Sequence, residues 1–265
     1  YSVLTGGKPN IILILTDDQG YGDVNAHGHP YLKTPHMNRF RSESVSFDSF
    51  YVSPSCSPTR AALLTGMHEF RSGVTHTISP RQELYKDAVL LPQLLKAVGY
   101  RTGFIGKWHL GKRIGPEKRG FDWCSTNLRG PHAHFDALFT RNRKRFESQG
   151  YREDVFFDEA MTFINESGDA PFFCYLATYS PHTPLDAPEK FIKPFRQAGL
   201  NDTHATYLGM IENIDYNLGR LMKFLKDKNK DNKTIVIIMN DNGVTEGLDI
   251  YNSNIFVILI VFKIF

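Results

Sequence analysis

Four side chains with oxygen ligands come in two pairs, and each pair follows an apolar stretch of the sequence. The pairs are Asp17-Asp18 and Asp241-Asn242. Carboxylate and amide oxygens are the ligands that hard cations such as Ca²⁺ and Mg²⁺ prefer, whereas Zn²⁺ prefers His and Cys. An Asp pair after a strand can also cap the next helix. The presence of a second pair favours the metal-site interpretation.

A cysteine comes just before a predicted proline-initiated helix in the segment Cys56-Ser57-Pro58-Thr59-Arg60. Helix N-termini attract anions and lower the pKa of a thiol, so this position suits a reactive sulfur. The planar guanidinium of Arg60 suits a tetrahedral oxyanion. A buried structural cysteine near a capping turn is an equally good interpretation of this segment by itself.

Three further candidates, Lys107, His109 and His182, follow two other apolar stretches. A lysine can neutralise an anion, and a histidine can carry a proton near neutral pH. Taken singly, each is more often an exposed or structurally satisfied side chain than a catalytic one. Their shared position after apolar stretches is what makes them candidates.

The sequence pattern predicts strands that alternate with helices. Continuous apolar runs indicate strands buried on both faces, and apolar positions about 3.6 residues apart indicate amphipathic helices. The predicted strands cover 10–15, 45–50, 100–105, 172–177 and 234–239, and the predicted helices cover 35–44, 58–65, 91–98, 155–165 and 203–225.

This alternation predicts an α/β fold with a mostly parallel sheet flanked by helices. In such folds ligands bind outside the carboxyl ends of the strands. The candidate residues follow four different predicted strands. We therefore expect them to meet at one edge of the sheet.

Composition sets limits on the class of protein. The chain has 265 residues, 41% hydrophobic and 22% charged, with a net charge of +3. This argues against a nucleic-acid partner, which would need a concentrated basic face. The basic run 141–145 is predicted to be a solvated loop, and the apolar run 255–265 is too short to span a membrane. Three cysteines leave open a pairing between Cys124 and Cys174.

Several blocks resemble the type I, formylglycine-dependent sulfatases, with arylsulfatases of the A/B type as the nearest likeness. Residues 56–66 resemble the signature C-x-P-x-R followed by LLTG, which is highly specific. Further blocks in the expected order are 9–10, 16–23, 106–111, 180–182 and 241–243. The resemblance covers roughly residues 8–243 and implies the fold of the alkaline-phosphatase-like superfamily.

The resemblance implies that a formylglycine-generating enzyme oxidises Cys56 by reading C-x-P-x-R on the unfolded chain. The aldehyde is hydrated, and one of its hydroxyls attacks sulfur. The resemblance also implies a Ca²⁺ ion, favoured over Mg²⁺. Its ligands would be Asp17, Asp18, Asp241, Asn242 and the modified Cys56.

The resemblance assigns roles to the remaining candidates. Arg60 holds the hydrated formylglycine, and Asp241 is the base for the nucleophile. Lys107 and His182 neutralise the sulfate oxygens, and His182 also protonates the leaving alcohol. His109 then takes a proton from the second hydroxyl, which releases sulfate.

Two departures from the family pattern concern the end of the sequence. A second sulfate-binding lysine beyond residue 243 and the smaller C-terminal domain have no counterpart. We interpret 1–243 as an incomplete, C-terminally truncated catalytic domain. We interpret 244–265 as an aberrant apolar tail outside the native fold. We therefore expect this chain alone to be poorly active and marginally stable.

The expected substrate is a sulfated carbohydrate or an aryl sulfate ester. Sequons at Asn165, Asn201 and Asn232 permit a secretory route. This would be lysosomal or extracellular in a eukaryote, and periplasmic or secreted in a bacterium. Two alternatives stay open: a phosphodiesterase-type relative, and a catalytically weak or inactive sulfatase-like protein that binds sulfated glycans.

Overall fold

The structure is a computed structural model that describes residues 7–47, 49–128, 130–245, 247–248, 251 and 260–264. Five parallel strands form the centre of its sheet. Strand β1 (Asn10–Asp17) lies between β7 (Phe172–Pro181) and β8 (Thr234–Asn240). Strand β3 (Arg101–Gly106) pairs with β7, and β4 (Trp123–Asn127) pairs with β3.

Antiparallel strands extend the sheet at both edges. On one side β5 (Leu138–Arg141) pairs with β4, and β6 (Lys144–Glu147) pairs with β5. On the other side β9 (Ile260–Ile264) lies between β8 and the short edge strand β2 (Val45–Phe47). The strand order is therefore β2-β9-β8-β1-β7-β3-β4-β5-β6.

Helices cover both faces of this sheet because side chains of a buried strand alternate between its faces. On one face Ile12 and Ile14 pack with residues of α1, α5 and α7, and on the other Leu13 and Leu15 pack with residues of α2. The helices are α1 (Pro35–Ser42), α2 (Cys56–Thr65), α3 (Glu69–Ser72), α4 (Leu91–Ala97), α5 (Arg152–Glu166), α6 (Glu189–Gln197) and α7 (Asp202–Asp227).

The predicted α/β fold with a mostly parallel sheet flanked by helices is confirmed. None of the helices within the described ranges is long and apolar enough to cross a membrane. Cys124 and Cys174 are both free thiols, so they do not form the disulfide that the sequence left open. The basic run 141–145 forms the turn between β5 and β6 together with the adjoining strand ends.

One predicted helix boundary was wrong in a way that matters for the site. Helix α2 begins at Cys56, whereas the sequence predicted a start at Pro58. Pro58 is tolerated in the third position because the first four N–H groups of a helix have no partner within it. Cys56 is therefore the first residue of the helix, with Ser55 as the extended residue before it.

The end of the sequence contributes a strand and a site residue. Within the segment 244–265, β9 pairs with β8, and Thr245 lies next to Asp18. The division of the chain at Gly243 stays a prediction. Most of the residues between 246 and 259 lie outside the described part of the chain.

Candidate active site

The carboxyl ends of four central strands lie at one edge of the sheet, and candidate residues follow each of them. Because β1, β3, β7 and β8 all run in the same direction, their last residues share that edge. The candidates are Asp17 at the end of β1 with Asp18 after it, Lys107 and His109 after β3, His182 after β7, and Asp241 with Asn242 after β8.

One close approach between strands positions Lys107. Gly106 has a φ of +109°, and a Cβ there would lie 1.8 Å from the carbonyl oxygen of Ala177 on β7. Only glycine fits such an approach, since any side chain would overlap the neighbouring backbone. The Lys107 amide then donates to the same Ala177 oxygen at 2.8 Å, which fixes where its side chain begins.

Three carboxylates and a thiol lie together at this edge. Ligand atoms of Asp17, Asp18, Cys56 and Asp241 all lie within 4.8 Å of one another. The Cys56 Sγ atom is 3.9 Å from Asp18 Oδ1. All four residues are buried, and Asp17 and Asp241 are fully buried. So many buried carboxylates require compensating positive charge.

Two buried cations supply part of that charge. Arg60 Nη2 donates to Asp17 Oδ1 at 3.1 Å and to Asp241 Oδ2 at 2.7 Å. Lys107 Nζ lies 2.6 and 2.8 Å from the two carboxylate oxygens of Asp17. Arg60 Nη1 also donates to the Lys107 carbonyl at 2.9 Å. Arg60 thus orients the carboxylates, and its role on formylglycine stays a prediction.

These contacts leave the carboxyls in unequal states. Burial alone would raise the pKa of Asp17, but the charges of Lys107 and Arg60 outweigh burial and hold that pKa well below its usual range. Burial, followed by the Asp17 carboxylate, raises the pKa of Asp241 to about 8 despite Arg60 and Lys107. The two permanent cations therefore leave the third carboxyl favouring its protonated form, and an additional cation would favour ionised Asp241.

Asp18 faces the remaining polar groups. Its Oδ1 accepts from Asn242 Nδ2 at 2.6 Å, and its Oδ2 accepts from Thr245 Oγ1 at 2.9 Å and lies 3.6 Å from His182 Nε2. Its amide donates to Asp241 Oδ1 at 3.2 Å. Among the described residues, buried Asn242 Oδ1 has no hydrogen-bond partner.

This donor set fits a hard divalent cation. It consists of the carboxylates of Asp17, Asp18 and Asp241 and the unpartnered amide oxygen of Asn242, all of which are oxygen ligands. A cavity of about 320 Å³ opens beside them and is lined by residues that include Cys56, Pro54, Val244 and Thr245. A larger apolar groove of about 660 Å³ near α2 contains none of the candidate residues.

The Cys56 thiol is poorly suited to act as a thiolate. Burial, together with the carboxylates of Asp241 and Asp17, raises the pKa of Cys56 far above its usual range. The expectation that the helix N-terminus would lower this pKa was wrong, because burial and three nearby carboxylates outweigh the helix dipole.

His109 is held as a neutral imidazole. Its Nε2 is 3.0 Å from the carbonyl oxygen of Thr77, which can only accept, so Nε2 carries the hydrogen. Its buried Nδ1 has no partner among the described residues. Burial, with the charges of Lys107 and Arg60, lowers the pKa of His109 to about 4. Nδ1 is therefore a free proton acceptor at neutral pH.

His182 occupies the more open side of the site. Its Nδ1 contacts the carbonyl oxygen of Thr183, which leaves Nε2 facing Asp18. The side chain is 29% exposed, in contrast to the buried cations. This position suits a group that meets an incoming ligand.

Sequence reasoning missed two residues that contact Asp18. Thr245 lies four residues beyond Asp241, in the segment 244–265 that the sequence analysis places outside the domain. Its closeness in sequence to the pair Asp241-Asn242 could have identified it. Tyr207 occupies an apolar position in the helical pattern of 203–225, and its hydroxyl lies 3.2 Å from the Asp18 carbonyl oxygen. Helical periodicity predicts that the Tyr207 ring is buried, but it does not predict what the hydroxyl contacts.

Comparison with known proteins identifies a family. A family model described as Sulfatase matches residues 9–250. Human N-acetylgalactosamine-6-sulfatase is 32% identical over 271 residues, which cover 89% of this chain and 50% of that protein. Mouse arylsulfatase J is 32% identical over 261 residues, which cover 89% of this chain and 43% of that protein. The chain spans about half the length of the curated relatives it matches.

Solved structures agree with this result. The crystal structure of Ps i-CgsB has a TM-score of 0.88 at 31% identity, over 97% of this chain and 66% of that one. A protein of the alkaline phosphatase superfamily from Vibrio parahaemolyticus has a TM-score of 0.68 at 22% identity, over 97% and 60%, and shows the fold alone. The family match extends over nearly all of the strands and helices that carry the acidic cluster, so the chain belongs to the sulfatase family.

Proposed function

We propose that this protein hydrolyses sulfate esters with a formylglycine made from Cys56 and a Ca²⁺ ion bound at the acidic cluster. One observation carries the proposal. The buried side chain at position 56 lies within 4.8 Å of three carboxylates, beside a buried lysine and arginine, at the carboxyl edge of the sheet. This arrangement suits an anionic substrate and a hard cation.

The cation would be held by Asp17, Asp18, Asp241 and Asn242, together with the modified residue 56. When bound, Ca²⁺ supplies positive charge at the sulfate oxygens, and the hydrated aldehyde supplies a hydroxyl nucleophile. The raised pKa of Asp241, a third carboxyl beside two cations, and the unpartnered Asn242 Oδ1 both support a cation at this place.

The chain's own residues provide charge and proton transfer. Lys107 and His182 bring positive charge and hydrogen-bond donors to the sulfate. Asp241, once ionised, accepts a proton from the nucleophile. His109 Nδ1 is a free acceptor for a second proton, and His182 Nε2 is placed to donate to the leaving alcohol. Arg60 keeps Asp17 and Asp241 in position through buried hydrogen bonds.

Burial of Cys56 supports modification before folding. The residue is 6% exposed and is part of α2, so another enzyme could not enclose it in the folded protein. A formylglycine-generating enzyme is therefore proposed as a partner that acts on the unfolded chain. Exposed asparagines at all three sequons, Asn165, Asn201 and Asn232, support a secretory route.

We propose a sulfated carbohydrate or an aryl sulfate ester as the substrate. The relatives support this class: one is named for a sulfated sugar, N-acetylgalactosamine-6-sulfate, and Ps i-CgsB has been solved in complex with a neocarrahexaose at 30% identity to this chain. Specificity depends on loops at the strand ends, which differ between members of one fold.

The test is expression together with a formylglycine-generating enzyme, followed by mass spectrometry of the peptide that contains position 56. We expect an aldehyde there and Ca²⁺-dependent hydrolysis of an aryl sulfate. Cys56→Ala should abolish turnover, whereas Cys124→Ala, which removes another free thiol, should not.

Three results would contradict the proposal. They are full activity with an unmodified Cys56, activity that survives removal of Ca²⁺, and faster hydrolysis of an aryl phosphate diester than of the aryl sulfate. Ca²⁺-dependent binding of a sulfated glycan by the aldehyde-bearing protein without turnover would favour the binding protein instead.

A further inference from the structure

Tyr207 joins helix α7 to the loop that carries Asp18. The residue is fully buried, and its hydroxyl lies 2.5 Å from Asp23 Oδ2 and 3.2 Å from the carbonyl oxygen of Asp18. The one hydroxyl hydrogen is shared between the two acceptors in a three-centre hydrogen bond, with the shorter arm to the carboxylate oxygen. Asp23 thereby fixes the hydroxyl against the Asp18 backbone.

The loop from Asp18 to Asp23 is held by several buried hydrogen bonds. Asp23 Oδ2 also accepts from the Gly20 amide at 2.8 Å, and Gln19 Nε2 donates to the Asp23 carbonyl at 3.0 Å. From β8, Asn240 Nδ2 donates to the Gln19 carbonyl at 2.7 Å. Buried networks in which the members are satisfied make a loop rigid.

Asp18 needs this support because its backbone is in the left-handed region, with a φ of +62°. A residue with a Cβ adopts this conformation only rarely, so the surroundings must hold it there. The conformation directs the carboxylate toward Cys56 on one side and toward Asn242 and Thr245 on the other.

We propose that Tyr207 is a positioning residue for the cation site: with Asp23 it holds Asp18 in the conformation that presents its carboxylate to the metal. The inference rests on the proposed Ca²⁺ site. Tyr207 touches neither the substrate nor the cation, and it acts through the Asp18 backbone. Polar groups behind metal ligands typically change metal affinity by about 10- to 100-fold when removed.

The test is a calorimetric titration with Ca²⁺ of the wild type, Tyr207→Phe and a matched control, Tyr100→Phe. Tyr100 is also buried, and its hydroxyl donates to the Pro9 carbonyl at 2.9 Å, at the opposite end of β1 from the site. All proteins come from one host, with the state of residue 56 checked by mass spectrometry.

We expect Tyr207→Phe to raise the Kd for Ca²⁺ by about 10- to 100-fold and Tyr100→Phe to change it by less than about threefold. The rise in Tm on adding Ca²⁺ should shrink in Tyr207→Phe alone, which a general loss of stability would not produce. Asp23→Asn should also weaken Ca²⁺ binding. In the double variant the rise in Kd should be smaller than the product of the two single rises, because both residues act through one contact.

Each outcome decides something. An unchanged Kd in Tyr207→Phe, or an equal change in Tyr100→Phe, overturns the inference while the proposed Ca²⁺ site stands. A wild-type protein that binds no Ca²⁺ overturns the proposed function and this inference with it. Should Tyr207→Phe fail to fold, unaltered Ca²⁺ affinity in Asp23→Asn would overturn the inference.

Discussion

Two groups of buried charges lie close to the same sheet, and they differ in balance. In the first, the carboxyl groups of Asp17, Asp18 and Asp241 meet two permanently charged side chains within the described part of the chain, Arg60 and Lys107. This group borders a cavity.

The second group is the ion pair of Arg152 and Glu153. Arg152 Nη2 is 2.9 Å from Glu153 Oε1, and both side chains are fully buried. Ser180 Oγ donates to the same Glu153 oxygen at 2.9 Å, and the Tyr179 ring centroid lies 4.8 Å from the Arg152 guanidinium carbon. One cation faces one carboxylate, and neighbouring side chains enclose the pair.

The difference shows how buried charge in a fold can be sorted. A balanced and enclosed pair stabilises the arrangement of the elements that it joins. An unbalanced group beside a cavity is poised to receive another charge, whereas a shifted pKa occurs in both groups, since burial also raises the pKa of Glu153. Burial by itself would not separate the two groups, since both contain fully buried side chains.

Asp18→Asn provides the largest expected effect. The change removes one carboxylate while keeping the shape and a residue type that tolerates positive φ. We expect kcat/KM for an aryl sulfate to fall on the order of 10³-fold. Stability of the Ca²⁺-free protein should change little, because Asp241, whose pKa is raised, can ionise in place of the lost carboxylate. A loss of stability as large as that of Glu153→Ala would contradict the comparison.

Glu153→Ala should act in the opposite way. It leaves the Arg152 charge buried without its carboxylate, which typically costs about 3–5 kcal/mol of unfolding free energy. Urea denaturation measures this loss, and kcat/KM below the melting range should stay within about tenfold of wild type. Replacing Arg152 and Glu153 together by Met should recover most of the stability. Lost activity with normal stability would count against the structural interpretation.

His134 gives the smallest expected effect and depends on pH. Burial, with the Arg152 charge, lowers the pKa of His134 to about 4. The unfolded chain takes up this proton near pH 6.5 and the folded protein only near pH 4, so stability is lost as the pH falls between these values. His134→Gln should reduce that loss by up to about 3 kcal/mol at pH 4, measured by urea denaturation.

The exposed histidine His76 offers the control for this prediction. His76→Gln should leave the dependence of stability on pH unchanged. If both variants have the same pH dependence as wild type, the buried imidazole near Arg152 does not contribute to acid sensitivity.

The sequence predicted the centre of the fold better than its edges. Strands β1 and β8 are continuous apolar runs because they are buried on both faces, so their pattern is unambiguous. Strands β4 to β6 mix polar and apolar residues, and β6 is mostly exposed, so no periodic signal predicted them. Helix α6 was not predicted, and it contains Pro194, a residue that is unfavourable in a helix interior.

In the candidate site, too, some features could be predicted from the sequence and others could not. Residues directly after apolar strands could be predicted because strand direction brings them to one edge. The pairing of Arg60 with Asp241 could not, since it depends on where α2 crosses that edge. The contact between Tyr207 and Asp18 joins residues 189 positions apart, and a buried tyrosine hydroxyl leaves no mark on hydropathy.

Gly106 affects both the strand pairing and the site, because it and the Lys107 amide both approach the carbonyl oxygen of Ala177. A methyl group there would push β3 away from β7 and draw the Lys107 ammonium from Asp17, so a substitution would damage strand pairing and the active-site charge together. Any substitution at position 106 would therefore disturb both the strand pairing and the position of Lys107. The loops at the strand ends carry no such restriction, whereas this junction requires glycine.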